Sequence, residues 1–196
     1  QAPYGGGISY EDEGATLDGN RIISNTTTTA SGRGGGLYIV ASGTAEFDLD
    51  NLLIAGNSGA TGAGIYLASG RPTFRHLTLV GNAGGDGRGL YVAYDSNRVM
   101  SATLRSSIIA TQTVGVYVYN TEAVHVHDGL WHNVDTKHEG PGAFTEDNPL
   151  SGAPAFANPA AGDYHLTGDS AAKDACADTG LAHDFEGDPR PGGAFR

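Results

Sequence analysis

A glycine followed by an apolar residue recurs along this chain at Gly7-Ile8, Gly36-Leu37, Gly64-Ile65, Gly89-Leu90 and Gly115-Val116, every 25 to 29 residues. Most of these pairs open a short segment of alternating character: Leu37-Tyr38-Ile39, Ile65-Tyr66-Leu67, Leu90-Tyr91-Val92 and Val116-Tyr117-Val118. Alternation at period two turns one set of side chains inward and the other outward, as in a β-strand. A second element follows each time and ends in an apolar residue and a turn, the turns carrying Asn25, Asn57, Asn82, Gln112 and Asn133. Counting back from the turns predicts two apolar columns. One holds Leu17, Leu49, Phe74 and Leu104; the other holds Ile23, Ile54, Leu79, Ile109 and Leu130. Loops rich in Gly and Thr absorb the differences in repeat length.

A repeat this short, with two or three strands and no helical period, cannot bury its own apolar face; stacked copies bury a continuous core. The pattern therefore predicts an all-β fold, a right-handed parallel β-helix (a solenoid) of about five coils over residues 1–140. Residues 141–196, with six prolines, read as an irregular C-terminal cap or tail packing on the helix. Each coil advances about 4.8 Å, so equivalent residues stack in ladders. Asn side chains at the turns are expected to hydrogen-bond from coil to coil.

Composition narrows the function classes. The chain has 31 Gly and a net charge of −11. Nucleic acid is not an expected partner, because phosphate binding needs clustered Lys and Arg. Cys176 stands alone, so neither an internal disulfide nor a CxxC metal motif is available. No apolar run is long enough to span a bilayer. The chain starts at Gln1, shortly before the first repeat, which suits a processed chain or a fragment of a longer one. No amphipathic helix precedes Gly5, so the first coil is expected to be uncapped and open to self-association end to end.

The motifs Gly5-Gly6-Gly7-Ile8, Gly34-Gly35-Gly36-Leu37-Tyr38 and Gly62-Ala63-Gly64-Ile65-Tyr66 resemble right-handed parallel β-helix repeats of bacterial surface proteins, in the broad pectate-lyase-like superfamily. Further on, Asn158-Pro159-Ala160-Ala161-Gly162-Asp163-Tyr164-His165-Leu166 and Asp184-Phe185-Glu186-Gly187-Asp188-Pro189-Arg190-Pro191 resemble the closing segment of bacterial β-helix proteins of choice-of-anchor type. The resemblance implies export and a place at the cell surface or in the medium.

Three groups of residues are candidates for chemistry. If Leu37, Ile65, Leu90 and Val116 face inward, Tyr38, Tyr66, Tyr91 and Tyr117 form an outward ladder that Tyr119 extends. Stacked tyrosines hold sugar rings or a protein surface, or they hold neighbouring coils together. On a second outward face, Asp48, Asp50 and Arg75 are candidates for a catalytic or Ca²⁺-binding cleft, although two acids are few for an ion that takes six to eight oxygens. His125 and His127, two apart on one strand with His132 nearby, are candidate metal ligands. The sequence carries no nucleophile elbow, P-loop or HExxH motif. No cofactor is required by this reading. The expected function is a structural or adhesive module that binds a polysaccharide or a neighbouring surface protein. The alternative is a polysaccharide lyase or glycoside hydrolase acting on an acidic polysaccharide.

Overall fold

The computed structural model describes residues 3–11, 16–41, 45–94, 96 and 100–190. Gln1 and Pro191, both noted in the sequence, lie outside them. The chain is an all-β parallel β-helix that winds repeatedly past three faces. Its first turn comprises Ile8–Glu11, Leu17–Asp18 and Arg21–Ile23; its second, Leu37–Val40, Glu46–Asp50 and Leu53–Ala55. The third turn comprises Ile65–Ser69, Arg71–Arg75 and Thr78–Val80. Arg88–Val92 and Ser101–Arg105 begin the fourth, and the long strand Ile108–Val118 bends from the fourth into the fifth. Ala123–His127 and Leu130–Glu139 carry the winding on, and Ala143–Asp147 ends it in a partial sixth turn. Neighbouring turns pair in parallel throughout.

The first strands of the turns form a tyrosine face. Beneath it Leu37, Ile65, Leu90 and Val116 are fully buried in one ladder. The second strands form an acidic face, and Leu17, Leu49, Phe74 and Leu104 are in register beneath it, as the alternation predicts; the register adds Val126 to the column. The third strands form a flank, and here the register corrects the expected column. Ile22, Ile54, Leu79, Ile109 and Trp131 stack inward. Ile23 belongs with Ala55, Val80, Ala110 and His132, and Leu130 belongs with Leu53, Thr78 and Ile108. Ile23 and Leu130 each lie one residue away from the inward column.

The reason lies in the C-terminal segment. Leu150, Phe156, Tyr164, Leu166 and Phe185 pack over Leu53, Ala55, Val80, Ile108, Ala110 and Leu130 on the outside of the flank. The flank is thus apolar on both sides, and alternation cannot tell its two sides apart. The segment is irregular apart from an antiparallel pair, Phe156–Asn158 with Asp163–Leu166, joined by a single helical turn at Pro159–Ala161.

The corner between flank and tyrosine face explains the glycine of the repeat. A Cβ on Gly36 would sit 2.9 Å from Nδ2 of Asn57 and 3.0 Å from Cγ2 of Ile54. Only glycine allows this approach. The asparagines there form the predicted ladder. Nδ2 of Asn25 donates to Oδ1 of Asn57 at 3.1 Å, and Nδ2 of Asn57 donates to Oδ1 of Asn82 at 2.9 Å. Gln112 occupies the next position of the column, paired with Val134, so Asn133 stands outside the ladder.

In the sixth turn the inward positions become polar. Glu146 stands in register with Val126, accepts from Nε1 of Trp131, and accepts from Nζ of Lys137 at 3.1 Å. His138 stacks on Phe144 at 5.0 Å. The bonded set Glu146, Trp131 and Lys137, with the His138–Phe144 stack beside it, thus closes that end of the core, where a wholly apolar surface would invite further stacking.

Candidate functional site

The outward tyrosines are in register, and their rings lie nearly parallel. Tyr38–Tyr66, Tyr66–Tyr91 and Tyr91–Tyr117 have centroids 5.6, 5.1 and 4.8 Å apart, and Tyr4 stacks on Tyr38 at 4.9 Å. The rings cover each other's faces, so the row turns edges and hydroxyls outward. Arg33 lies 5.2 Å from the Tyr66 centroid, and Arg88 lies 4.0 Å from that of Tyr117. Tyr66, in mid-stack, is only 6% exposed. Burial pushes the Tyr91 hydroxyl up to about 12, with Tyr66 and Tyr117 adding to the effect. Tyr119 differs from the stack. It is 41% exposed and tilts away from Tyr117, and its ring stacks at 5.8 Å on Tyr94, which is 45% exposed. The sequence reading missed Tyr94, because it falls outside the period-two strand pattern.

On the acidic face Arg75 grips Asp50 with two bonds, Nε to Oδ1 at 2.7 Å and Nη2 to Oδ2 at 2.6 Å. Its Nη2 also lies 3.0 Å from Oδ2 of Asp48. The hydrogen bond to Asp50 raises the Arg75 pKa above the ordinary arginine value, with Asp50 and Asp48 charges adding to it against partial burial. Both predicted acids are therefore engaged by one guanidinium.

The histidines divide. His125 and His127 share the acidic face, and their rings lie 3.9 Å apart. Asp147, from the next turn, joins them. Its Oδ2 is 3.0 Å from Nε2 of His125 and 3.4 Å from Nδ1 of His127. His132 stands on the flank instead, with Nδ1 3.2 Å from the carbonyl of Gly152, and does not join the cluster. The missed partner, Asp147, lies 20 residues after His127, one turn of the helix away.

Between the flank and the C-terminal segment lies a cleft of about 330 Å³, with walls that include Leu53, Ile108 and Leu166. His76 and Arg190 also line it. Burial, with the nearby Arg190 and Arg75 charges, pushes His76 down to about 3. Burial likewise raises the pKa of the Cys176 thiol, whose Sγ donates toward the carbonyl of Asp128 at 3.7 Å.

No family model, curated protein or solved structure matches this chain. Among the described residues no helix is long and apolar enough to cross a membrane.

Proposed function

We propose that this chain is a structural and adhesive β-helix module of a secreted or cell-surface bacterial protein, and that it holds a neutral glycan at the corner formed by Tyr94 and Tyr119. The observation that carries this reading is their exposure. These two rings stand 45% and 41% exposed side by side, as does Tyr4 alone at the far end of the stack, whereas Tyr38, Tyr66, Tyr91 and Tyr117 are covered by their neighbours. An exposed tyrosine offers a sugar ring an apolar face with a polar tip. Beside the corner, the edges of Tyr117 and Tyr91 continue as a polar row at the strand spacing of about 4.8 Å, and Tyr38 lies two turns beyond Tyr91, past the covered Tyr66. The net charge of −11 disfavours a polyanion. The likeness of the glycine motifs and the C-terminal segment to bacterial β-helix surface proteins supports a place outside the cell.

A lyase that used Arg75 as its base would need that residue neutral. The bonds to Asp50 and Asp48 favour the charged form. The same bonds engage the carboxylates that would otherwise face Ca²⁺. An array of neutral and acidic oligosaccharides tests the proposal. Binding to neutral glycans that disappears in Tyr94→Ala and Tyr119→Ala is the expected result. Binding that survives both substitutions, or release of unsaturated product from an acidic polysaccharide, would overturn it.

A further inference from the structure

The cluster on the acidic face makes no part of the aromatic corner, yet it has the donor set of a metal site. His125 and His127 lie two apart on Ala123–His127, so both imidazoles leave the same side of the sheet. Parallel pairing brings Ala143–Asp147 alongside, with Thr145 opposite His125 and Asp147 opposite His127. One ligand atom from each of His125, His127 and Asp147 lies within 4.8 Å of the other two. Four-coordinate zinc, with bonds of about 2.0–2.2 Å, needs its ligand atoms about 3.3 Å apart. Oδ2 of Asp147 already lies 3.0 Å from Nε2 of His125 and 3.4 Å from Nδ1 of His127.

The surroundings also suit a ligand role. Oγ1 of Thr145 lies 2.6 Å from Nδ1 of His125. A hydroxyl that accepts Nδ1–H there leaves the Nε2 lone pair directed at the shared point, as outer-shell partners of metal-bound histidines do. Partial burial, then the charges of His125 and Arg105, lowers the His127 pKa below the ordinary histidine value, against the opposing pull of Asp147 and Asp128. The neutral imidazole is the form that binds metal. Arg105 is the register partner of His127 on the preceding turn and opposes a cation; Asp147 and Asp128 offset it. All three side chains are partly exposed, which leaves an entry path and an open coordination position.

We propose that His125, His127 and Asp147 bind a first-row divalent ion, zinc above all, with three protein ligands and one position open to water or to a group on a partner. Two imidazoles and a carboxylate favour zinc over the oxygen-seeking Ca²⁺ and Mg²⁺. A surface site with an open position is suited to bridging to a ligand from another molecule, and it leaves the β-helix itself independent of metal.

Calorimetric titration of the full chain with ZnCl2, CaCl2 and MgCl2 tests the site. Expected is one zinc ion per chain, bound more weakly as pH falls through the histidine range. Calcium and magnesium bind at least about tenfold more weakly than zinc. His125→Ala, His127→Ala and Asp147→Asn each lose about tenfold or more in zinc affinity, while His132→Ala changes nothing. Thr145→Val weakens zinc binding and Thr145→Ser restores it, as befits a positioning residue. Thermal melts in chelator show whether each variant is folded. For any that is not, the visible spectrum of the Co²⁺-loaded wild-type chain reports four-coordinate nitrogen and oxygen ligation directly. The absence of stoichiometric zinc binding, or zinc binding unchanged in the folded ligand variants, would overturn the proposal.

Discussion

Arg190 donates from Nη1 to Nδ1 of His76 at 3.2 Å, while Nε2 of His76 lies 2.7 Å from Oγ1 of Thr179. Nδ1 is therefore the acceptor, and His76 is held as the neutral tautomer protonated on Nε2. Both partners lie in the C-terminal segment, so one imidazole ties that segment to the third turn. Nη2 of Arg190 adds a bond of 2.6 Å to Oδ1 of Asn51, a residue of the preceding turn.

This tie is acid-labile. The His76 pKa is lowered by burial first, then by Arg190 and Arg75, from 6.5 to about 3. Between those values the unfolded chain carries a proton that the folded chain lacks. The contribution is therefore complete above the upper value and shrinks as pH falls through the window, by up to about 1.4 kcal/mol per pH unit. Hydrogen exchange of residues 176–190 should accelerate as pH drops through that range, after correction for the intrinsic rate. His76→Asn should flatten the acid side of the stability curve relative to wild type. An equal pH slope in the two proteins would contradict the assignment.

Asn57 is 1% exposed and serves both neighbouring turns. Its Oδ1 also accepts from the backbone N–H of Asn25 at 2.8 Å, and its Nδ2 donates to the carbonyl of Ile22 at 2.8 Å. Asn57→Ala removes the partner from several buried polar groups at once. The expected cost is about 3 kcal/mol, seen as a lower urea midpoint with an unchanged slope.

How far this architecture was legible depends on what each face packs against. The Leu17–Val126 column could be read because its outward neighbours, such as Asp48 and Asp50, are polar, and period two shows clearly. On the flank, the pairs Ile22-Ile23 and Ile108-Ile109 put an inward and an outward apolar residue side by side. Only the position of the C-terminal segment separates them, and it comes from residues far along the chain. The same holds for the cluster. His125 and His127 announce themselves by spacing, whereas Asp147 is brought in by the length of the intervening turn, which loops vary from repeat to repeat.

Arg75→Ala leaves the Asp50 carboxylate, 8% exposed, without its two-pronged partner. A loss of about 2 kcal/mol is expected. Asp50→Leu combined with Arg75→Leu should recover part of it, because no unpaired charge remains. A double variant that sums the two single losses would contradict the pairing as the source of the effect.

In the proposed function the tyrosines divide labour: the covered rings hold the turns together, and the exposed corner binds glycan. Tyr66→Ala removes a ring stacked at both faces and should cost about 3 kcal/mol. Tyr119→Ala should leave the melting temperature within a degree or two. Melting temperature and glycan affinity measured together on Tyr66→Phe, Tyr66→Ala, Tyr94→Ala and Tyr119→Ala are the most direct test. Expected are wild-type behaviour for Tyr66→Phe, lost stability for Tyr66→Ala, and lost affinity at unchanged stability for the two corner variants. Full glycan affinity in Tyr94→Ala and Tyr119→Ala would contradict this division of labour.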